Sequence, residues 1–249
     1  MAAIAAWITA VRPRLVVVDV SVEVAVLART LGVPVVVAAM RGDRSDPAHV
    51  LAYDLADALF APWPGTLPEP QWPARWIAKT IHTGAFSRFD EIDVASSQVQ
   101  PQTAVCLLGN GGSDLPERFA ETVAAATPQW QWTFCGGDFG PSPIPLSDLL
   151  AAAQVVITHA GQNAVAEVAA LRRPAVVVAQ PRPHDEQLAT VRALGKGDLA
   201  VTCDRWPAAG DWPELLAQAV DLGGAGWERW NDHHGAQRAA AALAQVASR

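Results

Sequence analysis

Short continuous apolar runs recur along the chain, and polar segments with helical spacing separate them. In the first half, Leu15–Val20 and Pro34–Ala39 have the pattern of buried strands, with a helix predicted between them at Ser21–Leu31. A further helix is predicted at Ala48–Leu59, and Phe60 begins a short extended piece. Strand–helix–strand order implies a parallel sheet with a right-handed crossover.

The second half repeats this alternation more fully. Its predicted strands are Ala104–Leu108, Trp132–Cys135, Val155–Thr158, Ala175–Ala179 and Leu199–Cys203. Its predicted helices are Leu115–Ala126, Ser147–Ala153, Gln162–Leu171, Asp185–Leu194 and the tail Trp227–Ser248. The expected N-cap of the first of these helices is Ser113 or Asp114.

The pattern predicts an α/β protein with two Rossmann-like domains, the N-terminal one truncated. The polar, aperiodic segment Asp90–Gln102 is the best linker, so we place the domains at residues 1–94 and 95–222, followed by a C-terminal helix in 223–249. The first domain offers two convincing strands, whereas open sheets have about five or six. A partner or the second domain is expected to cover its exposed edges.

Composition narrows the class of protein. With 249 residues, 51% of them hydrophobic and 17% charged, the chain is globular rather than disordered. A net charge of −7 argues against general nucleic-acid binding, which needs a basic surface. No apolar run reaches the roughly 18 residues that span a bilayer, so no transmembrane segment is expected.

Cysteine and histidine spacing predicts no metal site. Cys106, Cys135 and Cys203 lack metal-ligand spacing and are expected to be apolar thiols in a reducing cytoplasm. Asp232–His234 has no matching ligands at helical spacing. In and just after the Pro-rich segment 62–73, Trp63, Trp72 and Trp76 either pack that segment or form an acceptor- or membrane-contacting surface.

Two turns follow predicted strands and open predicted helices. In the first turn, Gly111 and Gly112 either let the backbone approach a phosphate or serve packing alone. In the second turn, His159 either contacts a phosphate or is structural. Since ligands of open α/β sheets bind at the carboxyl ends of the strands, the two turns together favour a ligand at that edge.

Carboxylate and amide side chains follow the same strands. Glu167 lies four residues after Asn163 on one helix face, and it either accepts ribose hydroxyls or is a solvated surface residue. Glu186 and Gln187 offer acceptors and donors for sugar hydroxyls, or simply form an acidic first helical turn.

These residues carry a resemblance to a known family. The segment Thr158–Gln187, THAGQNAVAEVAALRRPAVVVAQPRPHDEQ, resembles the donor-binding segment of GT-B glycosyltransferases. It is most similar to the peptidoglycan N-acetylglucosaminyltransferase and related macrolide-type UDP-sugar transferases. LLGNGGS, ending at Ser113, resembles their second Gly-rich loop, and Thr83–Arg88 resembles the segment that enters the C-terminal domain.

The resemblance implies a nucleotide-sugar site in residues 95–222. Diphosphate contacts would come from Arg88, Ser113 and His159, and Glu167 would accept the ribose hydroxyls. Loop Pro143–Leu146 would lie against the base. Backbone N–H groups that hold phosphate or uracil would come from Gly161, Gln162, Asn163 and Ala164. The complete set implied for the donor is Arg88, Gly111, Gly112, Ser113, His159, Gly161, Gln162, Asn163, Ala164, Glu167, Glu186 and Gln187.

The acceptor half departs from the family pattern. Residues 1–94 would form a partial acceptor-side domain, and nothing in them corresponds to the family's first Gly-rich loop or catalytic base. Residue 1 corresponds to about the middle of that domain, and the loop Arg41–Asp46 lacks a clear family pattern. No catalytic residue is therefore assigned.

The leading hypothesis is an enzyme, a hexosyltransferase that moves a sugar from a nucleotide donor, with UDP favoured, to an acceptor hydroxyl. It would need no cofactor and no metal. The alternatives are a partner-dependent nucleotide-sugar-binding subunit completed by a second chain, a non-catalytic relic, and a nucleotide-sugar epimerase. The expected location is the cytoplasm, either free or peripheral at the membrane.

Overall fold

Parallel strand pairing defines both sheets of the computed structural model, which describes residues 1–93, 97–109, 111–112 and 114–248. The chain forms two compact units. Unit 1 comprises Met1–Ala85 and His234–Arg249, and unit 2 comprises Phe86–His233. The α/β fold class with two Rossmann-like units is confirmed.

Unit 1 begins with alternating helices and strands. In chain order these are α1 Ala2–Val11, β1 Val16–Asp19, α2 Val22–Thr30, β2 Val35–Ala38, α3 Pro47–Leu55, β3 Ala58–Ala61, α4 Ala74–Ile77 and β4 Thr80–His82. The strands pair in the order β1-β2-β3-β4. Ser21 caps α2 by accepting a hydrogen bond from the N–H of Val24, and Asp46 caps α3 through the N–H of His49.

Unit 1 contains more strands than the sequence pattern predicted. The helix predicted to reach Leu59 ends at Leu55, and Leu59 instead pairs with Val37 of β2. The interpretation of two strands was therefore wrong, because the described residues of unit 1 form a four-stranded sheet. Strand β3 contains no β-branched residue and β4 has only three residues, so neither has the valine-rich run that marks β1 and β2.

Unit 2 continues the alternation. In chain order its elements are β5 Thr103–Leu107, α5 Phe119–Ala126, β6 Gln131–Cys135, α6 Leu146–Ala152, β7 Val155–His159, α7 Gln162–Ala170, β8 Ala175–Val178, α8 Glu186–Lys196, β9 Val201–Cys203 and α9 Trp212–Leu222. The strands pair in the order β6-β5-β7-β8-β9. The direction of winding reverses between β5 and β7, and such a switch point is where open α/β sheets bind ligands.

Helix α9 supplies much of the core of unit 2, although the sequence analysis did not predict it. Its Trp212, Leu216 and Ala219 are fully buried against strand residues such as Ile157 and Val176. Their spacing of four and three residues is the helical signal that could have revealed this element.

Helix α5 begins at Phe119, four residues later than the predicted start at Leu115. Arg118 precedes it with φ 54°, a left-handed conformation that interrupts a helix. Asp114 does not cap the helix, because it lies five residues before Phe119, and its carboxylate accepts a hydrogen bond from Trp206 instead. The prediction that the Gly-rich turn leads directly into a helix was wrong, and the alternative N-cap Ser113 lies outside the described residues.

The C-terminal helix α10, Gly235–Ala247, packs within unit 1. Its Val246 and Leu243 contact Val36 and Ala58 of the sheet. The sequence placed a separate segment at 223–249 and a boundary at 94–95, whereas the chain passes from unit 1 to unit 2 between Ala85 and Phe86.

The tryptophans of the Pro-rich segment pack inside unit 1. Trp63, Trp72 and Trp76 are 2%, 7% and 3% exposed. The Tyr53 ring lies 5.8 Å from Trp72 and 5.0 Å from Trp76. The packing interpretation is confirmed, and the acceptor- or membrane-contacting surface was wrong.

The thiols are also interior groups. Cys106 and Cys135 are buried, Cys203 is half-buried, and burial raises the pKa of all three, that of Cys203 to about 11. Within the described part of the chain, no helix combines the length and apolarity needed to cross a membrane.

Candidate functional site

The two turns singled out in the sequence leave neighbouring strands at the switch point of unit 2. Leu107, the last residue of β5, pairs with Thr158 of β7, whose Oγ1 donates a hydrogen bond of 2.8 Å to the Leu107 carbonyl. The turn after β5 and the turn after β7 therefore start at the same sheet edge. This edge is the candidate site of the unit.

Helix α7 presents its N-terminus at this edge. The first backbone N–H groups of the helix, at Gln162, Asn163 and Ala164, have no intrahelical acceptor. Their N-cap is Gly161, which has no side chain that could accept a hydrogen bond from them. A Cβ built on Gly161 would meet no atom within 4 Å. These exposed N–H groups and the helix dipole favour an anion.

Arg88 and Glu167, which the sequence assigns to the diphosphate and to the ribose of the nucleotide-sugar, contact each other. Arg88 Nε donates a hydrogen bond of 2.9 Å to Oε1 of Glu167. The Arg88 side chain is 65% exposed, whereas the Glu167 side chain is 14% exposed. Burial raises the pKa of Glu167, and the charge and hydrogen bond of Arg88 oppose that rise. Glu167 is thus a partly buried carboxylate held in place by a cation, and not the solvated residue of the alternative interpretation.

His159 ends β7 and is enclosed by other side chains. Its Nε2 lies 3.2 Å from Oδ1 of Asp114, which also accepts a hydrogen bond of 2.9 Å from Nε1 of Trp206. The His159 and Trp206 rings are 5.1 Å apart. Burial lowers the pKa of His159, and Asp114 opposes this shift. The ring orientation of His159 is therefore fixed by neighbours from two other parts of the unit.

Gln187, at the start of α8, points into the protein. It is buried, and its Oε1 accepts a hydrogen bond of 3.0 Å from the N–H of Gln180. The carbonyl end of this amide therefore holds the loop after β8. Glu186 is half-buried beside it, after two residues with left-handed backbone, His184 and Asp185.

The loop after β8 also holds the Gly-rich turn, a contact that the sequence analysis missed. Gln180 Nε2 donates a hydrogen bond of 3.0 Å to the Gly112 carbonyl, and Arg182 Nη2 donates one of 2.8 Å to Gln180 Oε1. A Cβ on Gly111 would lie 2.6 Å from that same nitrogen of Arg182. The available signal was a basic residue in a loop that follows a buried strand at the ligand-binding edge.

The remaining sequence predictions concern Ser113, the loop Pro143–Leu146 and the segment Asp232–His234. Ser113 lies outside the described residues, so its contact with the diphosphate stays a prediction. In the predicted base-contacting loop, Ile144 is half exposed and Leu146 already begins α6. In the Asp232–His234 segment, Nε2 of His233 hydrogen-bonds the Ala170 carbonyl at 3.1 Å.

Comparison with solved structures shows that the chain has the fold of GT-B glycosyltransferases. It is similar to the glycosyltransferase of kitacinnamycin (16% identity, 96% of this chain and 77% of that chain, TM-score 0.62). It is similar to the spinosyn rhamnosyltransferase SpnG (18% identity, 97% and 70%, TM-score 0.60). It is also similar to Phytolacca americana UGT2 complexed with UDP-2fluoro-glucose and pterostilbene (13% identity, 98% and 78%, TM-score 0.66).

A family model narrows the resemblance within unit 2. Residues 144–206 match the glycosyltransferase family 28 C-terminal domain. The matched stretch includes α7, the Gln180–Gln187 loop and Trp206. A comparison with curated proteins finds no significant match. The resemblance to GT-B glycosyltransferases stated from the sequence is confirmed.

Proposed function

We propose that unit 2 binds a nucleotide-sugar and that the protein transfers the sugar to an acceptor hydroxyl. The observation that carries this proposal is the convergence, at the switch point between β5 and β7, of a Gly-rich turn, an uncapped helix N-terminus and the Arg88–Glu167 pair. Nucleoside diphosphates need an anion site and an acceptor for the ribose hydroxyls. The fold likeness and the match over residues 144–206 support the same class of donor.

The donor contacts follow the assignments made from the sequence. Backbone N–H groups at the start of α7 and in the Gly111–Gly112 turn hold phosphate oxygens, and Arg88 contributes a charge. Glu167 accepts the ribose hydroxyls and Glu186 faces the sugar, while the buried Gln187 positions the loop after β8 through its hydrogen bond with the Gln180 N–H. UDP is the proposed carrier, because the donor-binding segment resembles that of UDP-sugar transferases, and TDP is the alternative carrier, since a structure of the similar SpnG is complexed with thymidine diphosphate.

The proposed reaction is a direct displacement at the anomeric carbon. The acceptor oxygen bonds to that carbon, the bond to the diphosphate breaks, and the acceptor proton passes to a base that we do not assign. The leaving diphosphate carries the developing negative charge. The positive helix end and Arg88 stabilise this charge, so we propose that no metal cofactor is required. Turnover that is unchanged by a chelator would agree, and loss of turnover that Mg²⁺ restores would contradict it.

Thermal unfolding with UDP, TDP, GDP and UDP-sugars tests the donor site. A ligand at a hundred times its dissociation constant stabilises the folded state by about 2.7 kcal/mol, which shifts the melting temperature by several degrees. We expect selective stabilisation by uridine nucleotides. If no nucleotide raises the melting temperature, the proposed donor site is wrong.

Activity assays separate a transferase from the alternatives. Release of UDP that depends on an added acceptor identifies a transferase, whereas conversion of the donor without acceptor identifies an epimerase. Binding without turnover, followed by activity on addition of a second chain, identifies a partner-dependent subunit. We propose a cytoplasmic location, free or peripheral at the membrane, since the thiols carry no disulfide. Cell fractionation tests it.

A further inference from the structure

Arg182 lies above the Gly-rich turn of unit 2. Its Nη2 is 2.8 Å from Oε1 of Gln180, and it would be only 2.6 Å from a Cβ on Gly111. The absence of a side chain at Gly111 therefore leaves room for the guanidinium. The same turn is fixed from the other side, since Gln180 Nε2 donates to the Gly112 carbonyl at 3.0 Å.

Gln180 is well suited to hold this arrangement. It is 7% exposed, and both ends of its amide are used, the oxygen by Arg182 and the nitrogen by Gly112. Its backbone N–H donates to Gln187, which anchors the loop to α8. A buried amide with both ends satisfied has one orientation, so Gln180 fixes the guanidinium relative to the Gly-rich turn.

The chemistry around Arg182 favours an anion. The guanidinium carries five donors in a planar fork that matches phosphate oxygens, and only one contact, to a neutral amide, is made within the described residues. No carboxylate pairs with Arg182 in the part of the chain that the structure describes. Its charge also reaches His159: burial is the main cause of the lowered pKa of that residue, and Arg182 adds to it.

We propose that Arg182 binds a phosphate of the nucleotide-sugar diphosphate and that Gln180 is its positioning residue. This assignment rests on the proposed function and adds a cation that neither the sequence pattern nor the resemblance pointed to. Arg182 adds its charge at the Gly111–Gly112 turn, while Arg88 is paired with Glu167. The two arginines therefore act at different places in the site. Arg182 binds the diphosphate at the Gly111–Gly112 turn, and Arg88 lies beside Glu167.

Calorimetric titration of the full chain with UDP, TDP and inorganic pyrophosphate tests the assignment. Arg182→Ala should weaken all three about tenfold to a hundredfold, because charge-assisted hydrogen bonds are lost. Arg182→Lys should recover part of the affinity, since it keeps the charge but loses the planar fork. Binding of uridine and thymidine, measured by NMR titration, should be unchanged.

Arg192→Ala is the matched control, because Arg192 is exposed and lies in the second half of α8, whereas Arg182 lies in the loop before that helix. It removes the same charge from the same part of the chain and should leave every affinity unchanged. Melting temperatures without ligand should agree among wild type and both alanine variants. A loss of uridine affinity equal to the loss of UDP affinity would show a structural role and overturn the assignment.

A double-mutant cycle tests the positioning role of Gln180. Gln180→Leu removes both ends of the amide at similar volume, and Arg182→Ala should then cost at least several-fold less UDP affinity than in wild type. Equal costs in both backgrounds would refute the positioning role. If wild type binds UDP, TDP and pyrophosphate but Arg182→Ala equals Arg192→Ala, the Arg182 assignment alone fails. If wild type binds none of the three, the proposed function fails with it.

Discussion

Arg88 Nε lies 2.9 Å from Oε1 of Glu167, and the two side chains form an ion pair in which the cation is exposed and the carboxylate is largely covered. Because of this difference in exposure, burial and the charge of Arg88 act on the pKa of Glu167 in opposite directions. Burial raises the pKa of Glu167, and the charge and hydrogen bond of Arg88 oppose that rise. In the proposed site, Arg88 therefore has a second role besides contacting the diphosphate, namely to favour the ionised form of Glu167.

Replacing Arg88 should move the titration of Glu167. Arg88→Ala removes the group that lowers the pKa of Glu167 and leaves the burial that raises it, so the pKa should rise further. A protonated carboxyl group accepts hydroxyl hydrogens less well, so nucleoside affinity should decline at a higher pH than in wild type. Affinity measured between pH 4 and 8 gives the midpoint. Arg118→Ala, which removes an exposed ion pair with Glu121, should leave the midpoint unchanged, and a downward shift in Arg88→Ala would contradict the argument.

Glu167 should be the residue that distinguishes ribose from its dideoxy analogue. Wild type should bind UDP about tenfold or more tightly than 2′,3′-dideoxy-UDP, because hydrogen bonds to a charged acceptor are lost with the hydroxyls. Glu167→Ala should lose this preference, whereas Glu214→Ala, which changes an exposed carboxylate on α9, should retain it. Calorimetric titration measures both ligands. An unchanged preference in Glu167→Ala would remove Glu167 from the ribose site.

The His159–Asp114 contact gives a prediction about pH. Burial lowers the pKa of His159 below its usual value of about 6.5, and the carboxylate of Asp114 opposes this shift. Asp114→Asn should therefore lower the pKa of His159 further, which NMR titration of the ring measures directly. An unchanged pKa would show that the titration of His159 does not depend on Asp114.

The sign for stability follows from the same shift. A histidine whose pKa is lowered by folding binds fewer protons in the folded state than in the unfolded state, so the free energy of unfolding declines as the pH falls below about 6.5. His159→Gln should make this decline shallower. Part of the decline should remain in His159→Gln, because burial also lowers the pKa of His82.

Much of the fold could be predicted because the strands of unit 2 are continuous apolar runs. Val155–His159 and Ala175–Val178 are buried at every position, a pattern that parallel strands share and that surface elements lack. Strand β4, with the sequence Thr80–His82, is half-buried throughout and has no comparable signal. Its place in the sheet depends on pairing with β3, which local sequence does not encode.

The residues of the candidate site also differ in whether local sequence predicts them. Gly161 and Glu167 could be found because they occupy regular positions at a helix start and on its face. The Gln180–Gly112 contact joins the loop after β8 to a turn that lies 68 residues earlier in the chain, and the register of the sheet creates it. The prediction of Asp114 as a possible cap was wrong because α5 begins only at Phe119, and the contact that Asp114 makes instead, with Trp206, joins residues 92 positions apart.

Two glycines at the same edge of unit 2 should behave in opposite ways. Gly136 has φ 77°, and a Cβ there would lie 2.0 Å from the Leu108 carbonyl oxygen, so Gly136→Ala should destabilise the protein by about 2 kcal/mol or more. Gly161 has φ −70° and open space around its Cβ position, so Gly161→Ala should cost less, about 0.5–1 kcal/mol, because alanine is a poorer N-cap than glycine. Thermal unfolding compares the two.

The second variant also tests the anion site. If phosphate approaches the backbone at the start of α7, the added methyl group of Gly161→Ala should reduce UDP affinity although the fold is intact. Full UDP affinity in Gly161→Ala would argue that the phosphate lies elsewhere.

Breaking the buried Arg41–Glu69 ion pair of unit 1 should destabilise the protein more than replacing both residues with apolar ones. Arg41 Nη1 lies 2.6 Å from Glu69 Oε1, with side chains 4% and 7% exposed, and burial lowers the pKa of Arg41 while Glu69 opposes the shift. Glu69→Ala leaves the guanidinium buried without its carboxylate, which should cost about 3–5 kcal/mol. Arg41→Met combined with Glu69→Leu should cost less than Glu69→Ala alone, because the apolar pair carries no desolvation penalty.

Calorimetric unfolding measures these changes against Glu121→Ala, which removes an exposed pair with Arg118 and should cost about 0–1 kcal/mol. A double variant less stable than Glu69→Ala would mean that the pair contributes through its hydrogen bonds to the Arg41–Asp46 loop. Arg41 donates a hydrogen bond of 2.7 Å to the Leu67 carbonyl, and Glu69 accepts one from the N–H of Gly42. This outcome would therefore show that the ion pair is needed to fold the Arg41–Asp46 loop.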